Sequence, residues 1–221
     1  MIVAIDIETI GNPDTFDLLP TPEPSKVLKD PAKIAADIEA KQAAQRDKAA
    51  LDPLTARVAS FASVGEVEGK VLEYCDILAR ADDASERELL QNIFDVLGAD
   101  DVRIVTWNGV GFDLPMIYKR ALILGVDPAF HGAPPLSAWT KRYAADRHYD
   151  LMQIWCGWQG YAKLDTVAAL VLGAKKHDFD VTRIADMIAT DEGRTALAEY
   201  NLQDTRLTFE LWKRFAGTLI A

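Results

Sequence analysis

Cysteine is nearly absent: the 221 residues contain two, Cys75 and Cys156, with apolar neighbours and no CxxC spacing. That excludes a disulfide-stapled fold and a thiolate metal centre, and it implies a reduced, buried pair. Histidine is equally sparse, and His131, His148 and His177 lack metal-ligand spacing. No apolar run approaches the roughly eighteen residues that span a bilayer. The longest candidates, Ala121 to Val126 and Val167 to Ala174, read as core segments. Met1-Ile-Val-Ala-Ile-Asp6 has no basic n-region and soon meets a carboxylate, so it reads as a strand and not a signal peptide. The cytoplasm is the expected compartment, with no membrane partner. Positive charge is in deficit: 34 acids against 24 bases give a formal charge of −10. Such a chain does not coat nucleic acid by broad phosphate neutralisation. It can still be an enzyme of nucleic acids, because carboxylates that hold divalent ions look acidic only until they are loaded.

What is present is 49% hydrophobic and 26% charged sequence, the profile of one globular domain spanning 1–221 with a sizeable core. The period-2 rule places Asp6 and Glu8 on one face of a first strand and Ile5 and Ile7 on the other. Prolines 13, 20, 22, 24 and 31 mark a surface loop, followed by an Ala-, Lys- and Gln-rich helix over Ala32 to Leu51 with Asp37 four residues before Lys41. Arg57 to Val64 and Lys70 to Asp76 read as strands of a hairpin turning at Gly65 to Gly69. Ser85 with Glu88 signals a helix start, and Leu89, Leu90, Ile93, Phe94 and Leu97 form its apolar stripe. A strand at Val102 to Trp107 and a helix ending before Gly125 follow. A short strand or turn is expected near His148 to Asp150, with helices at Leu164 to Leu172, Thr182 to Ala189 and Thr195 to Phe215. This order predicts an α/β fold with a mixed sheet, three antiparallel strands and then parallel ones, flanked by helices.

Three elements carry candidate chemistry. Asp6-Ile-Glu8-Thr9 ends the first strand with two carboxylates about 7 Å apart along the chain, able to bracket a metal or simply to form a solvated edge. Asn108-Gly-Val-Gly-Phe112-Asp113 follows a strand end, where ligands collect in α/β sheets; Asp113 is equally well placed to cap the next helix. Tyr200 and Asp204, four apart, share one helical face.

Together the elements resemble D-x-E-T, N-x-x-x-F-D and Y-x-x-x-D, in the chain order of the DEDDy 3′–5′ exonucleases of the DnaQ-like, ribonuclease H-fold superfamily. Within it the sequence is similar to the proofreading domain of family-B DNA polymerases. His148-Tyr-Asp-Leu-Met152 and Lys163-Leu-Asp-Thr-Val167 are smaller agreements. The resemblance implies two divalent cations, Mg²⁺ or Mn²⁺, which divide activation of water and stabilisation of the leaving oxygen between them. It implies Asp6 as bridging ligand, Glu8 and Asp204 beside it, Asp113 toward the second ion, and Tyr200 orienting the attacking water. A phenol is a poor base at neutral pH, so orientation is the easier role. Thr9 and Ile10 would meet the terminal nucleotide, with Asn108 and Phe112 lining the same pocket. The implied partner is the 3′ end of single-stranded DNA, or RNA, released as nucleoside 5′-monophosphates; nothing in the sequence names a protein partner.

The departure from a minimal exonuclease is a helical insertion at about 12–56, where six cations face four anions between residues 26 and 48. It reads as a solvated helix, or as a lid over substrate. Contacts to a strand are expected from Trp139 to Lys163, where Trp139, Tyr143, Tyr149, Trp155, Trp158 and Tyr161 alternate with Lys141, Arg142, Arg147, His148 and Lys163. Lys175 and Lys176 extend that track. Two rival readings remain: a nucleic-acid-binding module without turnover, and a HAD-type phosphatase, whose D-x-D-x-T motif Asp6 to Thr9 approaches.

Overall fold

The computed structural model describes residues 1–141, 146–158, 160–174 and 179–220. Arg142 and Tyr143 of the aromatic segment, and Lys175, Lys176 and His177, lie outside these. One five-stranded sheet forms the centre: β1 (Ile2–Gly11), β2 (Ala56–Val67), β3 (Lys70–Ile77), β4 (Arg103–Thr106) and β5 (His148–Asp150), in the order β3-β2-β1-β4-β5. The first three pair antiparallel, and β1-β4 and β4-β5 pair parallel. This is the mixed sheet expected from the sequence. The helices are α1 (Pro31–Asp47), α2 (Asp83–Leu97), α3 (Asp113–Leu124), α4 (Leu136–Trp139), α5 (Leu151–Cys156), α6 (Leu164–Leu172), α7 (Ile184–Ile188) and α8 (Asp191–Phe215).

Two apolar clusters sandwich the sheet. Val3, Ile5 and Ile7 of β1 pack with Phe61, with the whole expected stripe of α2, and with Leu114, Ile117 and Ala121 of α3. Ala4, Val64 and Val105 pack with Leu151, with Val167 and Ala168 of α6, and with Phe209, Leu211 and Phe215 of α8. Each valine, leucine, isoleucine or phenylalanine among them stabilises the fold by roughly 1.5–3 kcal/mol when fully buried. Opposite faces of β1 therefore feed different clusters, and Asp6 and Glu8 belong by alternation to the face of Ala4.

Four local expectations are corrected. The β2-β3 turn is the two-residue Glu68-Gly69, both at positive φ (50° and 76°), because Gly65 stays in the ladder opposite Val3 and Leu72. Helix α2 is capped by Asp82, whose carboxylate accepts from the backbone N–H of Ser85 at 2.8 Å, so Ser85 lies inside the helix. Helix α8 begins four residues before Thr195, with Thr190 as its cap. Asp113 is not a cap either; it is the first residue of α3, and Phe112 precedes it as cap residue without a side-chain bond.

Candidate active site

The end of β1 builds the first half of the site. Pairing with β2 shifts register between Glu8 and Thr9, which turns the strand by one residue. Asp6 and Glu8 stay half-buried on one face, and Ile10 crosses to the cluster of Ile5 and Ile7. Helix α8 packs across β1 and β2 and brings Asp204 to the same point. One carboxylate oxygen each from Asp6, Glu8 and Asp204 lies within 4.8 Å of the others. A donor set of carboxylates with no nitrogen or sulfur suits a hard divalent cation such as Mg²⁺ or Mn²⁺.

Asp113 stands beside this trio. Its Oδ1 accepts from the backbone N–H of Ile7 at 3.3 Å, which places the carboxyl against the peptide between Asp6 and Ile7. Burial pushes its pKa up to about 7; hydrogen bonds from the backbone of Asp113 and Ile7 oppose the rise, and the Asp150 carboxylate adds to it. An approaching cation would favour the ionised form.

The turn leading to Asp113 is held by groups absent from the sequence-derived site. The Asp150 carboxylate accepts from the N–H groups of Asn108 (3.2 Å), Val110 (2.9 Å) and Gln153 (3.2 Å). Thr106 Oγ1 accepts from Gly109 N–H at 3.0 Å and lies 2.8 Å from His148 Nε2. His148 Nδ1 lies 2.9 Å from the Trp139 carbonyl, an acceptor only, so Nδ1 carries the proton and the Thr106 hydroxyl donates to Nε2. Asn108 adopts a left-handed φ of 70°, which asparagine tolerates. A Cβ at Gly109 would strike Thr106, and one at Gly111 would strike the Asn108 amide. The His148-Tyr-Asp150 segment reads in sequence as a short strand or turn and is a strand in the fold; its service to Asn108 and Val110 depends on backbone groups forty residues away, which leave no mark on sequence.

Tyr200 and Asp204 share a face of α8, as their spacing implied. Tyr200 is buried, with its ring stacked on Phe179 at a centroid distance of 3.7 Å. Between them Asn201 donates from Nδ2 to Ser60 Oγ at 2.6 Å, locking the helix to β2. Neither Phe179 nor Asn201 had a motif to announce it.

A cleft of about 760 Å³ opens beside Glu8. Thr9, Ile10, Phe112, Val181 and Thr182 line it with Glu8. Asn108 is not among its lining residues and acts in the turn. The hydroxyl of Thr9 is engaged: it donates to the carbonyl of Ala50 in the insertion at 2.7 Å. Of the aromatic segment, Trp139 and Tyr149 are core, whereas Trp155, Trp158 and Tyr161 are exposed. Trp158 and Lys141 line a second cavity, of about 280 Å³, against Val110 and Asp150.

Residues 51–219 match a family described as a predicted 3′-5′ exonuclease related to the exonuclease domain of PolB. The chain belongs to that family. The match contains Asp113, Tyr200 and Asp204, while Asp6 and Glu8, outside it, join them through the fold. Among relatives of this PolB-like exonuclease family member is a DNA polymerase of Thermococcus litoralis, 32% identical over 158 residues, covering 65% of this chain and 9% of that polymerase. DNA polymerase 1 of Sulfurisphaera ohwakuensis is 34% identical over 137 residues, 58% of this chain and 15% of that one. The chain thus spans a small fraction of these relatives. The family B DNA polymerase of Pyrobaculum calidifontis shares the fold with a TM-score of 0.61 at 21% identity, over 97% of this chain and 24% of that one. Among the described residues, no helix is long and apolar enough to cross a membrane.

Proposed function

We propose that this PolB-like exonuclease is a metal-dependent enzyme that removes nucleotides from the 3′ end of single-stranded DNA. The observation that carries the reading is the convergence of Asp6, Glu8 and Asp204 within 4.8 Å, with Glu8 also lining a nucleotide-sized cleft. The whole chain acts as one exonuclease unit, with residues 12–56 inserted. Asp6, Glu8 and Asp204 would hold a divalent cation, with Asp113 toward a second. Such cations would supply charge neutralisation at the phosphate and acidify water.

The residues themselves do the positioning. The Tyr200 hydroxyl, its ring clamped by Phe179, orients the attacking water. The water gives up a proton as its oxygen bonds to phosphorus, the bond from phosphorus to the 3′ oxygen breaks, and that oxygen takes up a proton in turn, which leaves a nucleoside 5′-monophosphate and a strand with a new 3′ hydroxyl. Phe112 and Ile10 offer the terminal nucleoside an apolar seat, and Trp158 with Lys141 offers stacking and charge to the preceding strand. DNA is preferred over RNA because the relatives are DNA polymerases.

The test incubates wild type and Asp6→Asn with 5′-labelled and 3′-labelled single-stranded DNA and RNA, in Mn²⁺, Mg²⁺ or EDTA. A metal-dependent ladder shortening from the 3′ end, lost in the variant, is expected. Cation binding without cleavage of either polymer would replace this reading by that of a binding module on the same fold.

A further inference from the structure

The inserted segment does more than cover the surface. Its helix α1 buries none of its residues, so no core dictates where it lies. Its C-terminal end is nonetheless tied down at the active-site end of β1. The Ala50 carbonyl accepts from Thr9, the Ala49 carbonyl accepts from the Thr55 hydroxyl at 3.0 Å, and Asn12 N–H donates to the Thr55 carbonyl at 2.7 Å. Ala49 is buried, and a Cβ at Gly11 would sit 3.3 Å from its methyl group, so glycine lets the two segments close up. The last turn of α1 therefore forms a fixed wall of the cleft that holds Glu8, where a hinged lid would need a free end.

On that wall stands Arg46. It lines the cleft together with Val181 and Thr182, and among the described residues its side chain makes no ion pair or hydrogen bond. Its charged companions on the cleft are Asp47 and Glu8. Lys41, one turn or so earlier, is already engaged by Asp37 at 2.9 Å. A guanidinium with no partner among the described residues, beside a carboxylate site and on backbone anchored to the strand bearing that site, is a ready phosphate ligand. We infer that Arg46 is a substrate-positioning residue, holding a phosphate of the single strand at the cleft and so selecting a nucleic-acid end over a lone nucleotide. This rests on the exonuclease reading and extends it to a part of the chain before the family match.

The experiment measures binding of a fluorescein-labelled single-stranded oligonucleotide in EDTA by anisotropy, across about 50 to 200 mM salt. Wild type, Arg46→Ala, Arg46→Lys and Lys70→Ala are compared. Lys70 lies beside the β2-β3 turn at the opposite end of the sheet, and its loss removes the same charge far from the cleft. Arg46→Ala should weaken binding about three- to tenfold and reduce the slope of log Kd against log salt by about 0.7, the signature of one single-strand phosphate contact. Arg46→Lys should keep the slope and lose part of the affinity, and Lys70→Ala should match wild type. With Mn²⁺ and a 3′-labelled strand, Arg46→Ala should raise KM and leave kcat unchanged. If wild type shortens the strand and Arg46→Ala behaves as Lys70→Ala does, the role of Arg46 is overturned and the exonuclease stands. If wild type shortens no strand with any metal, the exonuclease reading falls and takes this inference with it.

Discussion

At the scale of single residues, the site sets unlike groups against one another. Three carboxylates held within 4.8 Å repel each other until a cation is bound, so cation binding should appear as stability. At a hundredfold excess over Kd, a single bound ion adds roughly 2.7 kcal/mol. For a chain of this size that is a rise in Tm of roughly 5–10 °C. Mn²⁺ or Mg²⁺ should raise the wild-type Tm by such an amount and raise that of Asp6→Asn far less; equal shifts in calorimetry would speak against the trio. Tyr200 separates packing from chemistry. Tyr200→Phe keeps the stack on Phe179 and removes the hydroxyl, so kcat should fall about 10- to 100-fold with Tm nearly unchanged. Loss of the same activity through a large drop in Tm would instead assign the tyrosine to the core.

At the scale of elements, the turn from β4 into α3 is as strong as the network beneath it. Burial depresses the pKa of His148 below its ordinary 6.5, while its bond to the Trp139 carbonyl and the nearby Asp150 act the other way. Protons therefore bind the unfolded chain first. The stability that depends on neutral His148 is complete above about pH 6.5 and is lost as the pH falls from there through the folded value. Protonation would also give Nε2 a hydrogen where Thr106 already donates. The urea midpoint of wild type should fall between pH 7 and pH 5 more steeply than that of His148→Gln, and parallel slopes would show that the ring stays neutral for another reason. These elements also mark how far sequence can be read. The alternation in β1, the stripe of α2 and the i, i+4 pair in α8 are local patterns, and the folded chain keeps them. The bulge after Glu8, the grip of Asp150 on a distant turn and the bond from Thr9 to Ala50 are made between segments far apart in sequence, and no local pattern encodes them. The cap of α2 was misplaced because Asp82 and Ser85 are both good cap residues, and only the folded chain chooses between them.

At the scale of the whole molecule, one buried ion pair fastens the insertion, the sheet and two helices. Both carboxylate oxygens of Glu86 accept from Arg120, at 2.8 and 2.7 Å. Glu86 also accepts from Val58 N–H at 3.0 Å, and Arg120 reaches the Pro53 carbonyl at 3.1 Å. Glu86 and Arg120 are almost wholly shielded from solvent, so Glu86→Gln, which leaves the guanidinium uncompensated, should cost about 3–5 kcal/mol. Chemical denaturation with an unchanged midpoint would show that the pair contributes nothing net. The carboxylates have a different history from this pair. Asp6 and Asp204 belong to segments almost two hundred positions apart, so the carboxylate trio closes only when α8 has docked on β1. An ion that recognises only the finished arrangement has little hold on a transition state in which that docking is incomplete. In stopped-flow experiments such an ion should slow unfolding and leave the refolding rate nearly untouched, so that it would guard the assembled fold without guiding its assembly.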